Sequence, residues 1–137
     1  MKIRPIREED YEKVVGWYAD VSWPTPAVDG SLPKNGFVAE VEGTGEIAGC
    51  LWVSLDGSSS AELKWPATNP YLDPRAQASA VEHLIRYVQK MAPNLKPEVR
   101  LLLLYTRSPA LAQAMENCGF RKKEKIIQCS WVLPHEG

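Results

Sequence analysis

The sequence predicts a single α/β domain over residues 1–137, a mixed sheet of about six to seven strands flanked by helices. Three observations predict it. Short alternating segments in the first half are separated by turn residues, two apolar stripes at helical spacing follow Asp-Pro and Ser-Pro starts, and the continuous apolar run Leu101-Leu102-Leu103-Leu104-Tyr105 lies between those stripes.

Lys2 to Ile6 reads as an opening strand. Tyr11, Val14, Val15 and Tyr18 then fall at i, i+3, i+4 and i+7, an amphipathic helix whose first turn holds Glu8, Glu9 and Asp10, where the helix dipole favours negative charge. Asp20 to Asn35 carries Pro24, Pro26, Gly30 and Pro33 and predicts a long loop. Strands over Gly36–Glu42 and Glu46–Leu55 flank the Gly43-Thr44-Gly45 turn, so they pair antiparallel, and Asp56–Ser60 turns the chain into a third strand over Ala61–Thr68.

Asp73 supplies an N-cap and Pro74 a first helical residue, after which Val81, Leu84, Ile85 and Val88 mark a buried face that fades near Met91, with Pro93 and Pro97 barring continuation. The apolar run from Leu101 to Tyr105 predicts a parallel central strand covered on both faces. Ser108-Pro109 repeats the helix start, Leu111, Ala114, Met115 and Cys118 form the stripe, and Gly119 suits the left-handed stop. Lys125 to Leu133 alternates Ile127, Cys129, Trp131 and Leu133, a terminal strand.

Composition narrows the function classes. Sixteen Lys and Arg against seventeen Asp and Glu give a formal charge of -1, so no long-range field draws the chain to nucleic acid or an anionic membrane. The basic run Arg121-Lys122-Lys123-Glu124-Lys125 reads as a solvated turn. Cys50, Cys118 and Cys129 are few, odd in number and set among apolar residues, which predicts a reducing, cytoplasmic setting. The charged N-terminus predicts no signal peptide, and no apolar run is long enough for a membrane span. His83 and His135 lack neighbours at metal-ligand spacing, so no metal is expected. The Gly-x-Ser-x-Gly and Gly-x-x-x-x-Gly-Lys signatures are absent.

The element order, with the opening IRPIREEDYEKVV, the segment Ser108 to Phe120 ending in Gly119-Phe120, and Arg75-Ala76-Gln77-Ala78-Ser79-Ala80 after Asn69-Pro70, resembles the GNAT N-acetyltransferase superfamily. It also resembles short GNAT-like proteins of phage and prophage genomes. The resemblance implies a strand before the central helix that splays from the strand after it, with acetyl-CoA in the gap and its pyrophosphate at the helix N-terminus, where free amides and the macrodipole favour phosphate. It implies acetyl transfer to a small-molecule or peptide amine and leaves room for a homodimer. The alternative is a GNAT-like domain without turnover, acting as a binding or structural module.

Carried onto this chain, the resemblance places Arg75, Ala76, Gln77, Ala78, Ser79 and Ala80 at the phosphates, with Ala78 where the family has its first motif glycine. Two registers stay open for the third strand. With Thr68 in the family's valine position, Glu62 falls on the general-base position and Pro66 replaces an amide donor; with Ala67 there, Trp65 supplies the amide that binds the thioester carbonyl and the base position becomes Ala61. The second register is preferred for binding. Ser108 stands where the family often has Asn, and Met115 where it often has a tyrosine general acid, so the acid comes from elsewhere or from water; Tyr105, at the end of the apolar run, is a candidate donor or a half-buried packing residue. Trp17, Tyr18 and Trp23 flank the loop that shapes the acceptor pocket in similar proteins, although core packing explains Trp17 and Tyr18 equally well.

Overall fold

The computed structural model describes residues 1–20, 35–55, 59–106 and 108–121. Strand β1 (Lys2–Pro5) leads through a 3-10 turn (Glu8–Asp10) into α1 (Tyr11–Asp20). Strands β2 (Asn35–Glu40), β3 (Ile47–Ser54) and β4 (Ser60–Thr68) follow, then α2 (Pro74–Leu95), β5 (Leu101–Leu103) and α3 (Pro109–Asn117). Residues 21–34 of the expected loop, Trp23 among them, most of the turn after Leu55, and the terminal strand Lys125–Leu133 fall outside the described residues.

The described sheet has five strands in the order β1-β2-β3-β4-β5, against the six to seven expected. The first four pair antiparallel and β5 runs parallel to β4, so the sheet is mixed as the sequence predicts. Alternation along each strand sends side chains to opposite faces. One face carries Phe37, Ala39, Leu51, Val53, Ala61 and Leu63 onto α2, whose stripe Ala80, Leu84, Ile85, Val88 and Ala92 recurs at helical spacing. Each Leu, Ile or Val so buried contributes about 1.5–3 kcal/mol. The other face carries Val38, Ile47 and Cys50 onto Val14, Trp17 and Tyr18 of α1.

α2 lies close to β3. A Cβ at Gly49 would sit 3.2 Å from the Ala67 carbonyl oxygen and 3.2 Å from the Ala80 Cβ, so glycine and alanine together set the spacing of helix and sheet. At the far edge, the Arg4 guanidinium bridges Asp10, at 2.7 and 3.0 Å, and Glu40, at 2.7 Å, while Asp10 also accepts the Arg7 amide at 2.8 Å. Asp10 thus ties β1 to α1 rather than facing solvent in an open first turn. The Arg4 bond holds its carboxyl below the usual carboxylate range.

Two expectations are corrected. α2 does not end near Met91 but continues through Pro93 to Leu95: an exposed proline removes one amide, yet the Lys96 amide still reaches the Ala92 carbonyl at 3.0 Å and buried Ala92 anchors the turn. β5 is shorter than the apolar run and, among the described residues, is not covered on both faces. Leu102 and Leu104 pack against the α2 core, whereas Leu101 is 53% exposed and Tyr105 63%. A run of like residues concealed an ordinary alternation. Gly119, at φ 90°, follows α3 as expected.

Candidate functional site

The parallel pairing of β4 with β5 lasts three residues, Ser60, Ala61 and Glu62 against Leu101, Leu102 and Leu103. β4 then runs on to Thr68 while β5 stops, so the two strands part as a fork and β4 keeps only β3 as its neighbour. The Asn69 amide reaches back to the Ala48 carbonyl at 2.8 Å, and Gly49 faces Thr68 in the ladder. Antiparallel alternation therefore leaves the Thr68 amide on the edge away from β3, toward the fork.

Within this open stretch β4 bulges. Cys50 pairs with Ala67 and Trp52 with Lys64, so Leu51 alone faces both Trp65 and Pro66. A bulge is a position where proline's missing N–H disturbs no ladder. Trp65 has φ 53°, a left-handed conformation rare for a bulky side chain. The bulge also explains why sequence reading left two registers open: one extra residue separates the ladder before it from the ladder after it.

Cys50, Leu51, Pro66, Val81, Leu84, Ile85, Leu104 and Leu111 line a small, mainly apolar cleft of about 10 Å³ at the fork, partly open to solvent. It is bounded by β3 and the bulge on one side, α2 beneath, and the segment from β5 into α3 on the other.

α2 begins at Pro74, shortly after the open end of β4. The Asp73 carboxylate accepts the Ala76 amide at 2.8 Å, and the Asp73 carbonyl accepts the Gln77 amide at 3.1 Å. Pro74 has no amide, so the Arg75 amide is the first-turn donor that Asp73 does not engage. Arg75 to Ala80 are regular helix: Arg75 and Ala78 are exposed, Ala76 and Ser79 are half-buried, and Ala80 is in the core. Gln77 is occupied, its side chain bonded to the Thr68 hydroxyl and the Leu72 carbonyl, both at 2.8 Å, which locks the start of α2 to the end of β4. The sequence-predicted phosphate residues are therefore gathered at the fork, but on a helix whose end already carries a carboxylate.

The remaining candidates separate. Glu62 sits at the last paired rung, half-exposed, 3.7 Å from the Lys64 ammonium. Trp65 and Ala67 belong to the open stretch of β4, while Tyr105 projects into solvent beyond β5. Ser108 spends its hydroxyl capping α3 at the Leu111 amide, 3.2 Å away, and Met115 is packed in the core, 6% exposed. No group of three or more His, Cys, Asp or Glu gathers among the described residues to hold a metal. Nor is any described helix long and apolar enough to cross a membrane.

Sequence reasoning offered Tyr18 as loop or core and gave Cys50 no role at the site. The Tyr18 hydroxyl donates to the Trp65 carbonyl, and Cys50 both lines the cleft and lies 3.4 Å from that hydroxyl. The available signal was a tyrosine on an apolar helical stripe, since a buried hydroxyl requires a partner.

No protein-family model matches the sequence and no curated protein sequence is similar to it. Solved structures are similar. TTHA1254 from Thermus thermophilus superposes with a TM-score of 0.69 at 17% identity, covering 98% of this chain and 100% of its own. The aminoglycoside N-acetyltransferase AAC(6')-Iy in complex with CoA gives 0.64 at 19%, covering 96% and 100%. SP0256 of Streptococcus pneumoniae TIGR4, a GNAT-family acetyltransferase, gives 0.61 at 16%, covering 98% and 97%. The chain has the fold of these structures.

Proposed function

We propose that the chain binds acetyl-CoA in the fork between β4 and β5 and transfers the acetyl group to the amine of a small molecule or peptide. The observation that carries this reading is the parting of the two parallel strands after three rungs, which leaves an apolar cleft beside an unpaired, bulged strand edge. In this reading the slender pantetheine arm lies along the apolar residues of the fork, and the edge amides on β4, that of Thr68 among them, supply donors to its polar groups. Arg75, exposed at the start of α2, is the side chain for the diphosphate.

In the reaction the amine nitrogen attacks the thioester carbonyl carbon, the carbon–sulfur bond breaks, and the departing CoA thiolate takes up a proton while the new amide sheds one. Carbonyl polarisation by backbone donors at the bulge and close positioning supply most of the rate. Glu62, at the vertex of the fork, is the candidate acceptor of the amine proton, directly or through water, and Tyr105 the candidate donor to sulfur.

Titration calorimetry with acetyl-CoA tests the reading. The expected affinity is micromolar or weaker, about -8 kcal/mol or less favourable, because the Asp73 carboxylate opposes the phosphates. No heat at millimolar ligand would sink it. A second reading, a binding module without turnover, is favoured by the capped start of α2 and by Met115 packed where a catalytic acid would stand. Binding without release of CoA thiol over a broad amine panel would establish it.

A further inference from the structure

The strained point of β4 is held from the opposite face of the sheet. Trp65 is the one non-glycine residue with positive φ among the described residues, and its carbonyl accepts a hydrogen bond from the Tyr18 hydroxyl on α1. The Cys50 sulfur lies 3.8 Å from the same carbonyl and 3.4 Å from the Tyr18 oxygen. Tyr18 is fully buried, and its ring meets the Trp65 indole edge-on at 5.9 Å and 76°. The Trp52 indole N–H, buried without a partner of normal geometry, faces the same pair.

Burial raises both the Tyr18 hydroxyl and the Cys50 thiol, the latter to about 12, so each keeps its proton at neutral pH. A strained backbone persists only when its surroundings over-determine it. Here the Trp65 carbonyl is held by the Tyr18 hydroxyl on α1 and, with a longer and weaker bond, by the Cys50 thiol on β3.

We propose that Tyr18 is a positioning residue for acyl transfer: its hydroxyl anchors the Trp65 carbonyl to α1, keeps the bulge in its left-handed form, and so fixes the cleft wall against which the thioester lies. This rests on the fork being the acetyl-CoA site. Released from Tyr18, Trp65 relaxes toward negative φ and its carbonyl swings from the α1 face. An oxygen turned into the apolar cleft would carry its negative end toward the thioester oxygen, and the edge donors beside it would shift.

Tyr18→Phe keeps the ring and removes the donor. In Tyr18→Phe, kcat falls by about tenfold to a hundredfold, the scale of a misplaced reacting group. Affinity for acetyl-CoA falls toward that for CoA, while affinity for CoA, which lacks the thioester, stays within about twofold. Val14→Ala, buried on the same helix but with no hydrogen bond to offer the Trp65 carbonyl, lowers the melting temperature without this pattern. If the parent binds without turnover, the ratio of acetyl-CoA to CoA affinity is the readout.

Should Tyr18→Phe melt below assay temperature, the comparison moves to a Trp65→Gly background, where positive φ costs nothing and Tyr18→Phe is expected to lose most of its effect. An undiminished effect there overturns the proposal. So does a Tyr18→Phe protein with parental kcat and parental affinity ratio, which leaves the acetyl-CoA site standing. A parent that binds no acetyl-CoA overturns the site itself and the role of Tyr18 with it.

Discussion

The two halves of β4 are made differently. Ser60 to Glu62 pair with β5, and Glu62 with β3 as well, whereas Leu63 to Thr68 pair with β3 only and contain the bulge, the left-handed Trp65 and the proline. The closed half is ordinary sheet and joins the strands. The open half breaks the usual strand rules twice in adjacent residues, and a Tyr18 bond from another element holds it there. The proposed site sits beside the stretch whose backbone donors the topology leaves unpaired, and where local preference is overruled from outside.

The heaviest loss is expected from beneath the open half. Leu84 is 1% exposed and belongs both to the main core and to the cleft lining, so Leu84→Ala is expected to cost about 2–5 kcal/mol in chemical denaturation. A loss below about 1 kcal/mol would mean that the cleft floor is loosely packed surface.

At the far edge of the sheet, remote from the fork, Asp10→Asn is expected to cost about 1.5–3 kcal/mol at neutral pH through lost bonds to charged Arg4. The folded Asp10 pKa is depressed by Arg4, so its contribution is present above the ordinary carboxylate range and is lost as pH falls through the depressed value. Denaturation midpoints of parent and variant should therefore converge in acid. A gap unchanged by acid would contradict the ion-pair account.

Two substitutions at α2 probe the mouth of the open half. Ala78→Gly falls on an exposed position within regular helix, so it should cost about 1 kcal/mol without improving CoA affinity. Tighter binding would show that this backbone still bends around phosphate. Asp73→Ser keeps a capping oxygen and removes the carboxylate. Stability should change by less than about 0.5 kcal/mol, while CoA affinity measured by calorimetry should rise about twofold to fivefold.

Much of the closed structure could be read from the sequence, since its signals are local. Asp73-Pro74 and Ser108-Pro109 marked both helix starts, and both caps form as their chemistry requires, at the Ala76 and Leu111 amides. What could not be read depends on contacts distant in sequence. The register past Trp52 depends on a bulge whose left-handed residue is bonded to Tyr18, 47 positions away, and the exposure of Leu101 depends on where β5 stops. Pro93 stays helical through a tertiary anchor, buried Ala92, which propensity does not register.

Amide hydrogen exchange with and without acetyl-CoA puts the fork itself to the test. The account predicts slowed exchange in the open half of β4, at Thr68 above all, and at Arg75 in the first turn of α2, with Ser60 to Glu62 unchanged because β5 already pairs with that half. Protection confined to the closed half or to α1, or none at saturating ligand, would contradict it.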